Sequence, residues 1–258
     1  MSLSEQSNAG TLYCLATPIG NLDDATPRSR KILEEVGVIA CEDTRTAGRL
    51  LSHFGIPNPR LISYHEHNEE RRAVELVSLL LKGNSIALLS EAGTPTISDP
   101  GYRLVNRCAE EGIQVVPIPG VSAVISALSA AGLPTDRFLF LGFPPRKGSK
   151  LRQFLMWVTL PGLTTVVYLP ARRLVEFLRE VGDLSNDVRV VVGREMTKFH
   201  EEFLRGSPLE LAEEIEAHPR KGECTLVFHT VGKIKRKPLE AFWNQVTGLE
   251  ISPEKGED

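Results

Sequence analysis

Cysteine is scarce in this chain. Cys14, Cys41, Cys108 and Cys224 are the four among 258 residues, far apart and never in C-x-x-C spacing. That argues against a zinc ribbon or a disulfide-stapled scaffold, and Cys14, Cys41 and Cys224 lie in strand-like runs where buried thiols are expected. Positive charge is also short. A formal net charge of −3 leaves no global field to draw in a polyanion, which would have to meet local basic patches. The longest run of small apolar residues, 120–133, is too short to span a bilayer and is broken by Ser122, Ser126 and Ser129. Nothing resembles a signal peptide. A cytoplasmic protein without membrane contact is expected. The phosphate-cradling fingerprints G-x-G-x-x-G and G-x-x-x-x-G-K-[ST] are both missing, which argues against ATP, GTP or NAD.

What is present is an ordinary globular composition, 41% hydrophobic and 24% charged, in a length that suits one large domain or two of common size. Short apolar runs alternate with helical patterns. "LYCLA" (12–16) precedes Thr26-Pro27, an N-cap followed by Pro at the first helical position. "VIAC" (38–41) precedes a helix over 45–53 that Gly55 and Pro57 stop. "RLISY" (60–64) leads to Asn68 as an N-cap, with Glu69 and Glu70 in the first turn and Val74, Val77 and Leu81 as the apolar stripe. "SIALLS" (85–90), a helix over 100–111, "QVVPI" (114–118) and a helix over 121–131 follow. This alternation predicts a mainly parallel sheet covered on both faces.

The pattern changes near residue 134. "RFLFLGFPPRKGSK" (137–150) reads as a strand running into a basic loop. "TTVVYL" (164–169), "VRVVVGRE" (188–195) and "CTLVFHTV" (224–231) are β-branched strands, with helices at about 172–181 and 208–217. A boundary within 134–148 is expected, giving α/β domains over 11–135 and 136–232, the second a mixed sheet. Residues 1–10 are expected to be disordered. Leu239, Phe242, Trp243 and Val246 have the spacing of a docking helix, within a 233–258 segment made of a basic linker, that helix and a disordered tail.

Three strand ends are rich in Gly and Pro: "ATPIGNLDD" (16–24), "SEAGTPTISDPG" (90–101) and "PIPGVSA" (117–123). In open α/β sheets ligands bind at the carboxyl ends of strands, and glycine lets backbone come close. These loops contain no lysine. A cationic ligand without phosphates suits them better than a nucleotide, and S-adenosylmethionine has that character.

With "CEDTRTAGRLLSHFGI" (41–56), "HEHNE" (65–69), "SALSAAGLPTDRFLFLGFPPRK" (126–147), "REMTKFHEEFLRG" (194–206) and "KGE" (221–223) added, the sequence resembles the tetrapyrrole methylase family over about 11–232. It is most similar to that family's branch of bacterial small-subunit ribosomal RNA (cytidine-2′-O)-methyltransferases. The resemblance implies two α/β domains with the cofactor cleft between them, S-adenosylmethionine as methyl donor and S-adenosylhomocysteine as product. It also implies a homodimer, and 16S rRNA in the small ribosomal subunit as partner. Carried over residue by residue, the cofactor side comprises Pro18, Gly93, Thr94, Pro95, Ile97, Ser122, Ala123 and Tyr168. "YLPARR" (168–173) departs from the branch's Tyr-Glu-Ser/Ala-x-His-Arg, with Leu169, Pro170 and Arg172 at the changed positions.

Methyl transfer to a ribose hydroxyl needs alignment and a proton acceptor but no metal. Candidates on the RNA side are Glu42, Asp43, Arg45, His65 and His67, on two segments that separate this branch from the tetrapyrrole enzymes. Glu91 and Asp99 flank the Gly-Thr-Pro turn as further carboxylates. Glu42 or Asp43 could equally cap the next helix, and Asp99 before Pro100 reads as an N-cap. His65 and His67 alternate, with no third ligand nearby that would make a metal site. Basic groups cluster at Arg45 and Arg49, at Arg146, Lys147, Lys150 and Arg152, and at Lys233, Lys235, Arg236 and Lys237. The competing readings are a methylase of a tetrapyrrole or other small molecule, and a non-catalytic module that binds S-adenosylmethionine or RNA.

Overall fold

A computed structural model describes residues 9–57 and 59–232. The docking helix, the basic run from Lys233 and most of the polar N-terminus lie outside those residues. The described chain falls into two compact units. One runs to Ser126 and takes in Met196–Phe199, and the other holds Ala127–Glu195 and the residues from His200 on.

The first unit contains β1 (Leu12–Leu15), α1 (Pro27–Glu35), β2 (Val38–Cys41), α2 (Thr44–Phe54), β3 (Arg60–Ser63) and α3 (Glu69–Leu81). It continues with β4 (Ile86–Leu89), α4 (Tyr102–Glu110), β5 (Val115–Ile118) and the start of α5 (Ala123–Ala131). The five strands form one parallel sheet in the order β3-β2-β4-β1-β5. β2 and β4 are buried along their whole length, as continuous apolar runs under two helical layers must be. Ala40, Ile86 and Leu88 face α3 and α4, packing with Leu76, Leu80, Leu104 and Cys108. Ile39, Cys41, Ala87 and Leu89 face α1 and α2, packing with Leu33, Leu50 and Leu51.

The local signals act as expected at α1, where the Thr26 hydroxyl accepts from the Ser29 amide, and at α2, where Gly55 closes the helix with φ +68°. Helix α3 differs from its predicted stripe. Ala73, Leu76, Val77 and Leu80 enter the core, while Val74 and Leu81 stay exposed. The face that packs is the one continuous with α4's Leu104 and Cys108, and it shares only Val77 with the predicted stripe.

In the second unit β6 (Phe138–Phe140), β7 (Thr164–Pro170), β8 (Val188–Arg194), β9 (Glu202–Gly206) and β10 (Glu223–Thr230) form a mixed sheet in the order β6-β7-β10-β8-β9. Only the β6–β7 pair among them is parallel. Helices α6 (Ser149–Val158), α7 (Leu174–Leu184) and α8 (Pro208–Ala217) bury Leu155, Phe177 and Leu211 against Val190, Leu226 and Phe228. A full capping box starts α8, with Ser207 and Glu210 satisfying each other's backbone amides. Cys41, Cys108 and Cys224 are buried, Cys14 is half-buried, and all four are free. Burial pushes Cys14 and Cys41 up to about 11 and Cys108 and Cys224 up to about 12, so none offers a thiolate nucleophile at neutral pH.

Candidate active site

All five strands of the first sheet end on one line. Cys41 is level with Ser63 and Leu89, and Leu15 with Leu89 and Ile118. The loops that follow therefore emerge side by side, in the order β3, β2, β4, β1, β5. This carboxyl edge divides into two adjacent halves that share the loop after β4.

The half over β4, β1 and β5 carries the glycine-rich loops, and backbone knits them together. Thr17 and Gly93 exchange both amide hydrogen bonds, at 2.8 and 3.0 Å. The Gly93 carbonyl also accepts from the Thr17 hydroxyl at 3.4 Å and the Ser90 hydroxyl at 3.0 Å. The Thr94 hydroxyl donates to the Val121 carbonyl at 3.2 Å, tying this loop to the one after β5. Gly93 has φ +88°, and Thr96 and Ser98 also stand in the left-handed region, at +73° and +62°. Two side-chain-bearing residues held there store local strain, a pattern concentrated at ligand-binding loops. Gly120 has another reason to be glycine: a Cβ there would stand 3.0 Å from the Ala16 Cβ.

Of the sequence-predicted cofactor residues, Pro18, Gly93, Thr94, Pro95, Ile97, Ser122 and Ala123 are brought together on this half. Gly93 and Pro95 are buried, Ile97 is exposed, and the rest are half-buried. Tyr168 belongs to the second unit, on β7, with its ring edge-on to Phe140 at 4.9 Å between centroids and tilted against Phe143 at 5.4 Å. After it, Arg173 donates to the carbonyls of Pro144 and Pro145 at 3.0 and 2.8 Å. The clamp on the Pro-Pro turn is thus made by Arg173, the "YLPARR" position that keeps the branch's arginine, and not by the departing Leu169, Pro170 or Arg172.

The half over β3, β2 and β4 is a hollow of about 440 Å³ lined by Glu42, Asp43, Arg45, His65, His67 and Glu91, with Thr44, Ser63 and Glu66 completing it. All five predicted RNA-side residues are in it. Their states differ. Asp43 caps α2, accepting from the Arg45 amide at 2.7 Å, and its carboxylate also holds the Arg45 guanidinium at 2.6 Å. These bonds hold Asp43 down to about 2, which makes it a poor proton acceptor at neutral pH. Glu42 has the opposite environment. Burial first, then the charge of Glu91, raises it above the usual carboxylate range, against the opposing pull of His65.

His65 and His67 sit on a turn, with ring centroids 6.0 Å apart. Asn68 stands at the N-terminus of α3 but does not cap it with its side chain. Its side chain turns back instead, accepting from the His65 amide at 2.9 Å and donating to the Ser63 carbonyl at 3.2 Å. It is therefore a clip on the histidine turn. Among the described residues no group of three His, Cys, Asp or Glu side chains is placed to hold a metal ion. A larger hollow of about 600 Å³ in the second unit is lined by Val188, Val190, Val191, Asp187, Arg189 and Arg205 among others. It lacks a half-buried carboxylate beside a histidine.

Asp99 does not cap α4, which begins at Tyr102 after Gly101. It is half-buried in the shared loop. Burial, with Glu42 and Glu91 behind it, raises it to about 6, against a lowering hydrogen bond to Ser90. A carboxyl whose folded value lies above its ordinary 3.8 contributes stability below about pH 4 and loses it as pH rises through about 6. Asp99→Asn is therefore expected to stabilise the protein at pH 8 by about 1–3 kcal/mol and to flatten the pH dependence between about 4 and 7. Urea titrations across that range check it, and a less stable variant at pH 8 would contradict it.

Thr17 and Ser90 were not singled out as functional from the sequence. Their signal was slight: small polar residues one or two positions past a strand end.

Comparison with known proteins follows the same lines. The family described as Tetrapyrrole (Corrin/Porphyrin) Methylases matches residues 11–212. A protein of Halalkalibacterium halodurans named Ribosomal RNA small subunit methyltransferase I is 42% identical over 249 residues, 96% of this chain and 86% of its own. The protein of the same name in Pseudomonas aeruginosa is 46% identical over 224 residues, 85% of this chain and 79% of its own. Among solved structures, one of diphthine synthase superposes with a TM-score of 0.67 at 14% identity, covering 90% of this chain and 94% of that one. At that identity the likeness shows the fold alone.

Proposed function

The chain belongs to the tetrapyrrole methylase family, and we propose that it uses S-adenosylmethionine to methylate the ribose 2′-hydroxyl of a cytidine in small-subunit ribosomal RNA. The observation that carries this reading is the divided carboxyl edge. A half of glycine, hydroxyl and backbone lies directly beside a half of carboxylate, histidine and arginine, with β4 common to both. Neighbouring strands are about 4.8 Å apart, so the two halves are roughly 10 Å from centre to centre.

The cofactor half suits a cation. The loops at 16–24, 90–101 and 117–123 contain no Lys, Arg or His, and Asp99 is held above its ordinary value by burial first and then by the charges of Glu42 and Glu91. A positive charge relieves that repulsion. Pro18, the Gly93–Pro95 turn, Ile97, Ser122 and Ala123 would hold the donor. Bound there, S-adenosylmethionine supplies a methyl group on a sulfonium, an electrophile that needs no metal.

The other half binds and deprotonates the acceptor. Glu42 takes the ribose hydroxyl proton, since its raised pKa makes it a stronger base than an ordinary carboxylate, while His65, which pulls the other way, favours the ionised form that must accept the proton. Arg45, mostly exposed but aimed by its fork with Asp43, meets a phosphate of the RNA. His67 completes the wall against which the ribose lies. Alignment of the hydroxyl with the methyl group is the larger contribution, on the order of 7–11 kcal/mol where geometry is well fixed.

No helix among the described residues is long and apolar enough to cross a membrane, and we place the enzyme in the cytoplasm with its ribosomal substrate. It works as a homodimer in this account. Phe138, Met156 and Val231, all in the second unit, are exposed apolar side chains that a partner would cover. Light scattering is expected to give about twice 28.5 kDa at micromolar concentration, and a monomer there would refute the assembly. Transfer of label from the methyl donor tests the function itself. Small subunits from cells lacking the modification are expected to accept it and tetrapyrroles to refuse it. The reverse would restore the small-molecule reading.

A further inference from the structure

Most arginines of the described chain have an acidic partner. Arg30 pairs with Glu34, Arg60 and Arg72 with Glu75, Arg103 and Arg107 with Glu70, and Arg194 and Arg220 with Glu202. One segment stands out by having no acidic residue of its own, although Arg137 at its edge reaches Asp136 just outside it. Residues 137–175 contain Arg or Lys at seven positions and neither Asp nor Glu, within a chain of net charge −3. Four of the seven, Arg146, Lys147, Lys150 and Arg152, fall in seven consecutive residues, and all four are exposed.

Their placement sharpens the imbalance. Helix α6 begins at Ser149 after Gly148, which has φ +83° and gives no side-chain cap. Its first turns carry Lys150 and Arg152 and no acidic residue. Cations beside the positive end of a helix are disfavoured, because the free amides there already present partial positive charge. The local fold does not relieve this, since no ion pair to any of the four occurs among the described residues. The segment is nevertheless fixed in place. Leu151, Leu155 and Val158 anchor α6 in the core, and Arg173 grips the two carbonyls of Pro144 and Pro145 just before the cluster. A concentrated, uncompensated and rigidly mounted positive surface is costly in isolation and favourable once an extended polyanion covers it.

We infer that Arg146, Lys147, Lys150 and Arg152 form a docking surface for the sugar-phosphate backbone of the RNA substrate, outside the residues that perform the transfer. This rests on the RNA reading above. Phosphate contacts position a nucleic acid without reading its sequence, and each one formed releases counterions and steepens the salt dependence of binding. Phe143, 62% exposed next to the clamped turn, adds an aromatic face on which an unpaired base can stack.

The test is steady-state methylation of small ribosomal subunits by the full-length protein at several salt concentrations. In the variant Arg146→Gln, Lys147→Gln, Lys150→Gln, Arg152→Gln, KM for subunits is expected to rise on the order of tenfold at about 0.1 M salt. The slope of log affinity against log salt is expected to fall by roughly 2–4, with kcat and the affinity for S-adenosylmethionine nearly unchanged. A control variant, Arg30→Gln with Lys31→Gln on α1, removes two cations that pair with Glu34 and Glu35 and is expected to leave the slope alone. Equal KM and slope in wild type and the fourfold variant would overturn the inference while leaving the RNA reading intact. Wild-type protein that does not methylate subunits would overturn both. A kcat that falls with KM unchanged would also overturn it, placing the cluster in the transfer step rather than in docking.

Discussion

Glu42→Gln is expected to lower kcat for methylation of small subunits by on the order of 10²–10³-fold, with the affinity for S-adenosylmethionine unchanged within a few-fold. The side chain keeps its size and its place after β2, so the hollow persists and only the proton acceptor is lost. The pH profile carries a second signature. A carboxyl must be ionised to accept a proton, so wild-type kcat falls as pH drops through the raised value of Glu42. The glutamine variant loses that acidic limb. A normal rate in the variant would dismiss Glu42 and leave His67 as the acceptor to test. Arg45→Ala and His67→Ala follow the same split, with on the order of 10²-fold less methylation at undisturbed cofactor affinity. Arg45→Ala also frees Asp43, whose value is expected to climb back from about 2. If both variants methylate at the normal rate, the assignment of this half to RNA is wrong.

The second large effect lies on the other half of the edge. Gly93→Val is expected to weaken S-adenosylmethionine binding by on the order of 10²-fold or more. Gly93 has φ +88°, a region costly by roughly 1–3 kcal/mol for a residue with a Cβ, and more for a β-branched one. Its amide and carbonyl are both committed to Thr17, so the chain can relieve the strain only by breaking the knot that holds the three loops. Some stability is lost as well, which calls for a comparison. Gly55 closes α2 at φ +68° with open space around it. Gly55→Ala is expected to cost about 1 kcal/mol of stability while leaving cofactor affinity unchanged. Calorimetry on both variants separates strain from site. Normal affinity in Gly93→Val would move the cofactor away from this loop.

Much of the first sheet was legible because its signals were redundant. "VIAC" and "SIALLS" are continuous apolar runs, and the helices after "LYCLA" and "VIAC" carry their own start or stop signals, Thr26-Pro27 and Gly55. Two elements of the second unit were not seen. Helix α6 has Leu151, Leu155 and Val158 at helical spacing, but the preceding Pro-Pro-Arg-Lys-Gly made the stretch read as a basic loop. β9 is a five-residue edge strand with no buried position, so it lacks the alternation that marks a half-buried strand. The loops at the carboxyl edge that we assign to the cofactor were visible as glycine and proline at strand ends. The reasons for individual glycines were not, since a positive φ at Gly93 and a close approach to Ala16 at Gly120 look alike in a sequence. Asn68 and Asp99 were both read as helix caps from their position alone. Asn68 does stand at the N-cap position, but its side chain is taken by the His65 amide and the Ser63 carbonyl, and α4 starts at Tyr102 after Gly101, two residues past Asp99. Only Asp43 performs the capping expected of the acidic candidates, and that commitment is what leaves Glu42 as the better base.

The most direct measurement of the central claim is the chemical identity of the product. Small subunits from cells lacking the modification are incubated with the protein and S-adenosylmethionine labelled on its methyl group, and the ribosomal RNA is digested to nucleosides. The account predicts close to one methyl group per subunit, recovered as 2′-O-methylcytidine, and none from the Glu42→Gln variant on the same timescale. Label recovered on a base, or absent from RNA while a tetrapyrrole accepts it, would contradict the account.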